Sequence, residues 1–294
     1  YLIANFYILD EDYIRSNFYL KLSTYFNKNF KLNEILIAEN YLKIKNYKVS
    51  KNTYYSLKTI GQTTSWHADK KISEIIAATE NDKKSIIFIE NAFKRLKSKN
   101  YMNFLELGDI YKKNKLYEKS IEYYSEAIKL LPENHPLLPK ILDRRGTSYE
   151  RMGAWEKADN DLQLSLQLNP DQAYVLNYLA YSWLERKVNI KKSLKMLVKA
   201  NSLFKNDPFI MDSLAWAMYL LNDLEESEKI LKNVVQMMPS DPIVNDHYAE
   251  VLCKQKKYLQ ARYAWGYVLG LPETEEKLKK EIQKKIIYCH DKSL

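Results

Sequence analysis

The sequence predicts an all-α protein, built as an α-solenoid of helix–turn–helix repeats. Two observations lead to this fold class. The chain of 294 residues is 46% hydrophobic but contains only 6 Gly and 8 Pro, which leaves little room for the many tight turns of a β-sandwich or a doubly wound sheet. Apolar and small residues also recur with a period of 34 residues over 101–275, and a period of this length is typical of stacked helical hairpins.

The periodic segment divides into five consecutive repeats. The eighth position of each repeat is small: it is Gly108, Gly146, Ala180, Ala215 and Ala249 in turn. A small side chain there lets the two helices of a hairpin approach closely, while large apolar residues at positions 4, 7, 11 and 24 fill the space between them. We therefore predict one helix pair in each repeat. The five repeats are 101–134, 139–172, 173–207, 208–241 and 242–275.

These positions resemble the pattern of the tetratricopeptide repeat (TPR), a helix–turn–helix unit of 34 residues. The resemblance implies that the repeats stack into a right-handed superhelix. Pro132 and Pro170 stand at position 32, where proline ends the second helix because it lacks an amide donor and clashes with the preceding turn. Asp207 and Asp241 each precede a proline and are predicted N-caps of the following helices.

The segments on either side of the five repeats are less regular. Residues 1–100 keep the register only in part, as in 31–64 and 66–99, so we predict degenerate TPR-like helical repeats there. Residues 276–294 combine one apolar stripe with many lysines. This pattern predicts a C-terminal capping helix, which a repeat array needs at its end. An amphipathic membrane-binding segment is the alternative.

The net charge of +9 does not predict nucleic-acid binding. Lysine greatly outnumbers arginine, and asparagine, isoleucine and tyrosine are also abundant, a composition that indicates an AT-rich genome rather than selection for phosphate contacts. The basic excess lies mostly outside 101–275, where the charges nearly balance. Since a phosphate-binding surface requires clustered basic residues with aromatic stacking partners, we expect no nucleic-acid partner.

The two cysteines and the start of the chain bear on its compartment. Cys253 and Cys289 form no CxxC motif, and we expect buried free thiols that act as small apolar groups rather than a disulfide or a redox pair. No run of about 18 apolar residues is present, so no transmembrane segment is predicted. The chain begins at Tyr1, which leaves open a signal peptide or a lipid anchor upstream.

No constellation of catalytic residues can be assembled from the sequence. The four histidines belong to no HExxH motif and to no His/Cys ligand spacing. Neither a glycine-rich phosphate loop nor a GxSxG motif occurs. We therefore predict that the protein is not an enzyme, with no catalytic residue, no metal site and no cofactor.

The first helices of the repeats provide a candidate partner-binding surface. In TPR proteins these helices line the concave groove, mainly through positions 2, 5, 6, 9, 12 and 13, and the resemblance carries that role onto this chain. Position 5 is an acid or an amide in four successive repeats, and aromatic residues recur at positions 2, 6, 9 and 12. The candidate groove residues are Asp143, Tyr174, Asn177, Tyr178, Tyr181, Phe209, Asp212, Trp216, Tyr219, Asp246 and Glu250.

An acidic and aromatic groove suits an extended or helical segment of another protein. Tyrosine and tryptophan supply large contact areas, and Asp212 and Trp216 share one helix face because they are four residues apart. The alternative is that Asp212 pairs with a neighbouring helix while Trp216 lies half in the core. TPR domains that clamp carboxylate-terminated chaperone tails use Lys at position 5; acids stand there in this chain, which argues against such tails.

Three C-terminal segments resemble a narrower group, the envelope TPR proteins of proteobacteria. They are "LNYLAYSWLER" (Leu176–Arg186), "DSLAWAMYLLN" (Asp212–Asn222) and "NDHYAEVLC" (Asn245–Cys253), with alanine where that group has glycine. Some members are outer-membrane lipoproteins that act as adaptors for carboxyl-terminal processing proteases. The resemblance implies a location in the periplasm or on the periplasmic face of the outer membrane, with the cytoplasm as the alternative. An envelope protease or its substrates are the implied partners.

Together these features predict a non-enzymatic scaffold or adaptor that binds a partner polypeptide in the concave TPR groove. The alternative is a structural subunit of a larger assembly, held through its convex face or its ends, with no ligand in the groove.

Overall fold

The computed structural model describes residues 1–291, and within them it contains seventeen α-helices and no β-strand. This confirms the all-α fold class. Contacts form chiefly between helices that follow one another along the chain, as stacked hairpins require. The helices group into two compact units, and the chain passes from the first to the second at residue 135. The division of the sequence at residue 100 stays a prediction.

The first unit comprises Tyr1–His135 together with Arg151–Gly153. Each helix from α1 to α7 packs against the next one along the chain. Its helices are α1 (Leu2–Leu9), α2 (Tyr13–Phe26), α3 (Leu32–Lys43), α4 (Tyr47–Leu57), α5 (Gln62–Thr79), α6 (Asp82–Arg95), α7 (Tyr101–Lys113) and α8 (Tyr117–Leu130).

The second unit comprises Pro136–Glu150 and the chain from Ala154 onwards. The first helices of successive repeats also contact one another here, α11 with α13 and α13 with α15, so their side chains form one continuous surface. The helices are α9 (Leu138–Arg151), α10 (Trp155–Leu168), α11 (Ala173–Glu185), α12 (Ile190–Leu203), α13 (Pro208–Leu220), α14 (Leu224–Met237), α15 (Pro242–Lys254), α16 (Tyr258–Gly270) and α17 (Glu276–Asp291).

Small residues at position 8 make the close approach that the sequence predicts. A Cβ atom placed on Gly108 would lie 2.7 Å from the ring of Tyr124, and one on Gly146 would lie 2.9 Å from Cγ of Leu162. Both distances are far below van der Waals contact, so only glycine fits between the helices of these two hairpins.

The predicted N-caps are also confirmed. The carboxylate of Asp207 accepts hydrogen bonds from the backbone N–H groups of Phe209 and Ile210 at 3.0 and 3.1 Å. Asp241 accepts from the corresponding two amides of α15 at 2.9 and 3.0 Å. Each aspartate therefore satisfies two donors at a helix start that have no partner inside the helix.

Most hairpin turns pass through a residue with left-handed backbone. In six of them the residue is not glycine and has φ between 55° and 69°. Four of the six are lysine, which has no intrinsic preference for this backbone conformation, so the packing of the two helices imposes it. These turn residues are Glu11, Lys45, Lys115, Lys187, Asn222 and Lys256.

Helix α17 covers the last repeat with its apolar stripe. Ile282 is fully buried, and Leu278 and Ile286 pack beside it against a cluster that contains Trp265 of α16. This contact is the one expected of a capping helix. Residues 292–294, the end of the predicted cap, lie outside the described residues.

The prediction of free thiols was wrong. Cys253, near the end of α15, and Cys289, in the last turns of α17, form a disulfide with their Cα atoms 6.0 Å apart. The sequence spacing of 36 residues carries no sign of this, because the pairing arises only when α17 folds back across α16. Within the described residues, no helix is both long and apolar enough to cross a bilayer.

Candidate functional site

The candidate groove residues all lie on the first helices of the repeats in the second unit. Asp143 is on α9, Asn177 on α11, Asp212 on α13 and Asp246 on α15. The aromatic candidates all lie on α11 and α13. Asp212 and Asp246 are buried and internally paired, whereas the aromatic candidates are exposed or half-buried.

Asp212 forms a buried pair with a histidine of the next repeat. Nδ1 of His247 lies 2.9 and 3.1 Å from the two carboxylate oxygens of Asp212, and the two residues are only 5% and 7% exposed. Burial disfavours the charged imidazolium, but the adjacent Asp212 carboxylate outweighs it and raises the pKa of His247 above its ordinary value. The pair ties α13 to α15, as in the alternative interpretation of Asp212.

A stack of aromatic rings covers this pair. The indole of Trp216 lies against the imidazole of His247 with ring centroids 4.1 Å apart and planes within 14°. Tyr219 stacks on the other side of Trp216 at 4.6 Å, and its hydroxyl donates to Glu250 at 3.0 Å. The half-buried Trp216 therefore shields the Asp212–His247 pair and still presents an open edge.

Asp246 is held by the capping helix. Its carboxylate accepts hydrogen bonds from Nε1 of Trp265 and from Nζ of Lys285, both at 2.7 Å. Lys285 also contacts Glu250 at 2.5 Å. Burial opposes the charged ammonium, but the two carboxylates raise the pKa of Lys285. The acidic position in the last repeat is thus neutralised by the chain's own α17.

The candidates on α9 and α11 are more open. Tyr178 donates its hydroxyl hydrogen to Glu150 at 2.6 Å, while Tyr181 and Asp143 are partly buried. Oδ1 of Asn177 is buried and has no hydrogen-bond partner among the described atoms. Burial and nearby carboxylates raise the pKa of Tyr181 well above its ordinary range, so this tyrosine is a neutral hydrogen-bond donor.

Position 2 of each repeat is the most exposed part of the candidate surface. Tyr174 is 55% exposed, Phe209 is 58% exposed, and Ile243, at the same position of the next repeat, is 43% exposed. The hydroxyl of Tyr174 donates to the N-cap Asp207 at 3.0 Å, which fixes the orientation of its ring. These side chains begin three successive first helices.

Two residues outside the predicted set complete the site, His247 and Lys285. His247 stands at position 6 of its repeat and lies opposite position 5 of the preceding one. Its spacing of 35 residues from Asp212 is the sequence feature that could have indicated this pair. Lys285 carried no such signal because it belongs to no repeat. Near it, Tyr219, Glu250, Lys254 and Tyr288 help to line a cavity of about 410 Å³ at the C-terminal end of the surface.

The titration of His247 leads to a prediction about stability. The pKa of this histidine in the folded protein is raised above its ordinary value of 6.5. Its contribution is therefore fully present below about pH 6.5 and is lost as the pH rises through the folded pKa. As the pH rises from about 6.5 through the folded pKa of His247, we expect the melting temperature of the wild type to fall relative to that of a His247→Gln variant. Circular dichroism measures both proteins in parallel. Parallel curves for the two proteins would contradict this titration.

The comparisons with known proteins agree with the fold. A family model described as tetratricopeptide repeat matches residues 103–134. A TPR repeat-containing protein of Pseudomonas aeruginosa is 28% identical over 130 residues, which are 44% of this chain and 21% of that protein. The mitochondrial import receptor subunit TOM70 of Rattus norvegicus is 27% identical over 146 residues, 48% of this chain and 23% of the receptor. The chain thus spans less than a quarter of the length of these relatives.

Solved structures resemble the chain over a longer span. A tetratricopeptide repeat protein from Parabacteroides merdae superimposes with a TM-score of 0.59 at 19% identity, over 78% of this chain and 92% of that one. Yeast Tom70 gives a TM-score of 0.57 at 14% identity, over 96% of this chain and 60% of the other. At these identities the likeness shows the fold alone.

Stacked helical hairpins with a continuous surface along their first helices define an α-helical repeat protein. Residues 103–134 match the tetratricopeptide repeat model, and the fold is an all-α solenoid of the TPR type. TPR proteins act as protein-interaction scaffolds, and their fold is typically non-catalytic. Among residues 1–291, no group of three or more His, Cys, Asp or Glu side chains is arranged to hold a metal ion.

Proposed function

We propose that the second unit is a scaffold that binds a segment of a partner protein along the first helices of its repeats. One observation carries the proposal: position 2 stays open to solvent in three successive repeats, although Asp212 and Asp246 are internally paired. Tyr174, Phe209 and Ile243 are each more than 40% exposed. A row of large exposed side chains of this kind is the usual set of anchors in a protein interface.

The pairing of the acids changes what the partner contacts. A buried carboxylate that is already paired with His247 or Lys285 offers no free charge. The partner therefore binds through apolar and aromatic contacts rather than through basic side chains of its own at position 5 of each repeat. The open edges of Tyr181, Trp216 and Tyr219 continue this surface between the position-2 residues. TOM70, which is similar to part of this chain, is a mitochondrial import receptor subunit, and this supports a polypeptide as the class of partner.

The proposal is tested with a triple alanine variant of Tyr174, Phe209 and Ile243. We expect this variant to capture its partner from the source cell at least about tenfold less efficiently, since each lost anchor costs roughly 1 kcal/mol or more. In a matched control, Leu164 and Val198 are both replaced by alanine. These residues are similarly exposed but lie on the second helices α10 and α12, so their replacement should leave capture unchanged. Equal loss in both variants, or no loss in the first, would contradict the proposal. Far-ultraviolet circular dichroism verifies that both variants are folded.

We also propose that the scaffold works in the periplasm or on the periplasmic face of the outer membrane, with an envelope protease or its substrates as partners; the cytoplasm is the alternative. The segments Leu176–Arg186 and Asp212–Asn222 resemble those of proteobacterial envelope TPR proteins, and this resemblance supports the setting. The Cys253–Cys289 disulfide supports it independently, because disulfides persist in oxidising compartments. Cysteines that react with a thiol reagent in intact cells before any reduction would argue for the cytoplasm.

A further inference from the structure

The outward face of α16 carries an apolar stripe that no described residue covers. Leu259, Tyr263 and Tyr267 are between 51% and 73% exposed, and Gly266 and Gly270 are exposed between and beyond them. With a turn of 100° per residue, these five residues all lie within an arc of about 100° around the helix axis. We refer to the five residues as the α16 stripe.

The preceding repeats show that this composition is specific to α16. The corresponding positions of α14, which lie 34 residues earlier and are also exposed, are all polar or charged. They are Glu225, Lys229, Lys232, Asn233 and Gln236. In α12 four of the five are polar, and the set is Lys191, Lys195, Val198, Lys199 and Ser202. The outward face of α16 therefore carries tyrosine, leucine and glycine where the outward faces of α12 and α14 are mostly polar.

The two glycines have no explanation inside the chain. A Cβ atom added to Gly266 or Gly270 would meet nothing within 4 Å, and neither residue has a positive φ. Glycine in a helix lowers its stability relative to alanine, so these residues weaken α16 without any internal packing benefit. A second surface that approaches the helix closely would supply the missing reason.

The charges at the two ends of α16 are opposite. Lys256 and Arg262 line one surface depression together with Leu259 at the start of the helix. The exposed Glu273 and Glu275 follow its C-terminal end. None of these four charged groups takes part in an ion pair among the described residues. A second α16 laid antiparallel would bring each basic end against an acidic end, and the helix dipoles would also be aligned favourably.

We propose that a second copy of this chain covers the α16 stripe, with the two α16 helices antiparallel about a twofold axis close to Gly266. Such an interface is self-complementary, because Tyr263 and Tyr267 of each copy enter the space left by the glycines of the other. An anionic bilayer fits the surface less well, since Glu273 and Glu275 would be repelled from it. This interface goes beyond the proposed partner-binding surface and involves none of its residues.

The first test is the state of association of the purified chain. Analytical ultracentrifugation between about 1 and 100 µM should show a monomer–dimer equilibrium. A variant that takes the residues of α14 (Leu259→Glu, Tyr263→Lys and Tyr267→Asn) should raise the dissociation constant by about a hundredfold or more. The control Val198→Lys, on α12, should leave it unchanged. A wild type that stays monomeric, or a dimer that the triple variant does not weaken, overturns the proposal.

The second test fixes the orientation of the two helices. Lys256→Glu and Glu273→Lys should each weaken the dimer, and the double variant should restore it because both charge contacts re-form with reversed signs. Gly266→Cys should give a covalent dimer on mild oxidation, whereas Val198→Cys should not. A double variant weaker than either single one excludes the antiparallel arrangement. Binding of the monomer to phosphatidylglycerol vesicles through the same tyrosines would assign the stripe to a membrane and overturn the proposal.

Discussion

Replacement of Asp212 by alanine should lower the free energy of unfolding of the second unit by about 3 to 5 kcal/mol, because it breaks a buried pair and leaves Nδ1 of His247 without its partner. The two residues are 7% and 5% exposed and are joined at 2.9 Å, so solvent cannot take the place of the missing carboxylate. Trp216, stacked on the imidazole, would close off the site further. The expected loss exceeds that of an ordinary surface substitution by several fold.

Urea unfolding followed by tryptophan fluorescence measures this effect. Asp223→Ala is the matched control, since Asp223 is an exposed aspartate at the start of α14 whose side chain makes no capping hydrogen bond. A double-mutant cycle with His247→Leu isolates the pair from the cost of losing each residue alone. If Asp212→Ala is no more destabilising than the control, Asp212 is not a structural residue and its carboxylate is available to a partner.

Reduction of the Cys253–Cys289 disulfide should also destabilise the C-terminal end of the array strongly. The bond closes a loop over a sequence separation of 36 residues, and the chain-entropy description gives about 4 kcal/mol for a loop of that length. In a repeat array this stabilisation acts locally, on the last hairpin and its cap. Once the bond is open, α17 is free to separate from α15, and Lys285 then leaves Asp246 and Glu250.

Hydrogen exchange of the α17 amides, measured with and without reductant, tests this expectation. Protection of α17 should fall in the reduced protein, while the amides of α11 and α12 should exchange as before. A Cys253→Ser, Cys289→Ser double variant should behave like the reduced wild type, which separates loss of the bond from side effects of the reductant. Unchanged protection of α17 after complete reduction would show that packing alone holds the cap.

The sequence predicted those parts of the fold that depend on position within one repeat. Gly108 and Gly146 were identified from the period alone because a helix pair requires a small residue at each crossing. Asp207 and Asp241 were identified because an aspartate before a proline satisfies a helix start through local hydrogen bonds. Each of these features is decided within about 35 residues of chain, the length of the repeat.

Features that depend on which repeats face each other could not be predicted in the same way. The period assigns Asp212 to a helix face, but it does not say that position 6 of the next repeat lies opposite, where His247 supplies the partner. Lys285 and Cys289 belong to the cap, outside the repeat, so no register related them to Asp246 or Cys253. The use of the candidate surface by a partner stays a prediction, now centred on Tyr174 and Phe209.

The left-handed turns have a consequence for how the protein tolerates mutation. Six hairpin turns hold Glu, Lys or Asn in a backbone conformation that costs such residues roughly 1 kcal/mol relative to glycine. Glycine adopts this conformation without that cost, so we expect glycine at these turns to stabilise the hairpins. Glycine at Lys187 or Asn222, for example, would offset the loss of folding stability caused by a destabilising substitution on the binding surfaces. Those surfaces are free to diversify while the stacked hairpins persist.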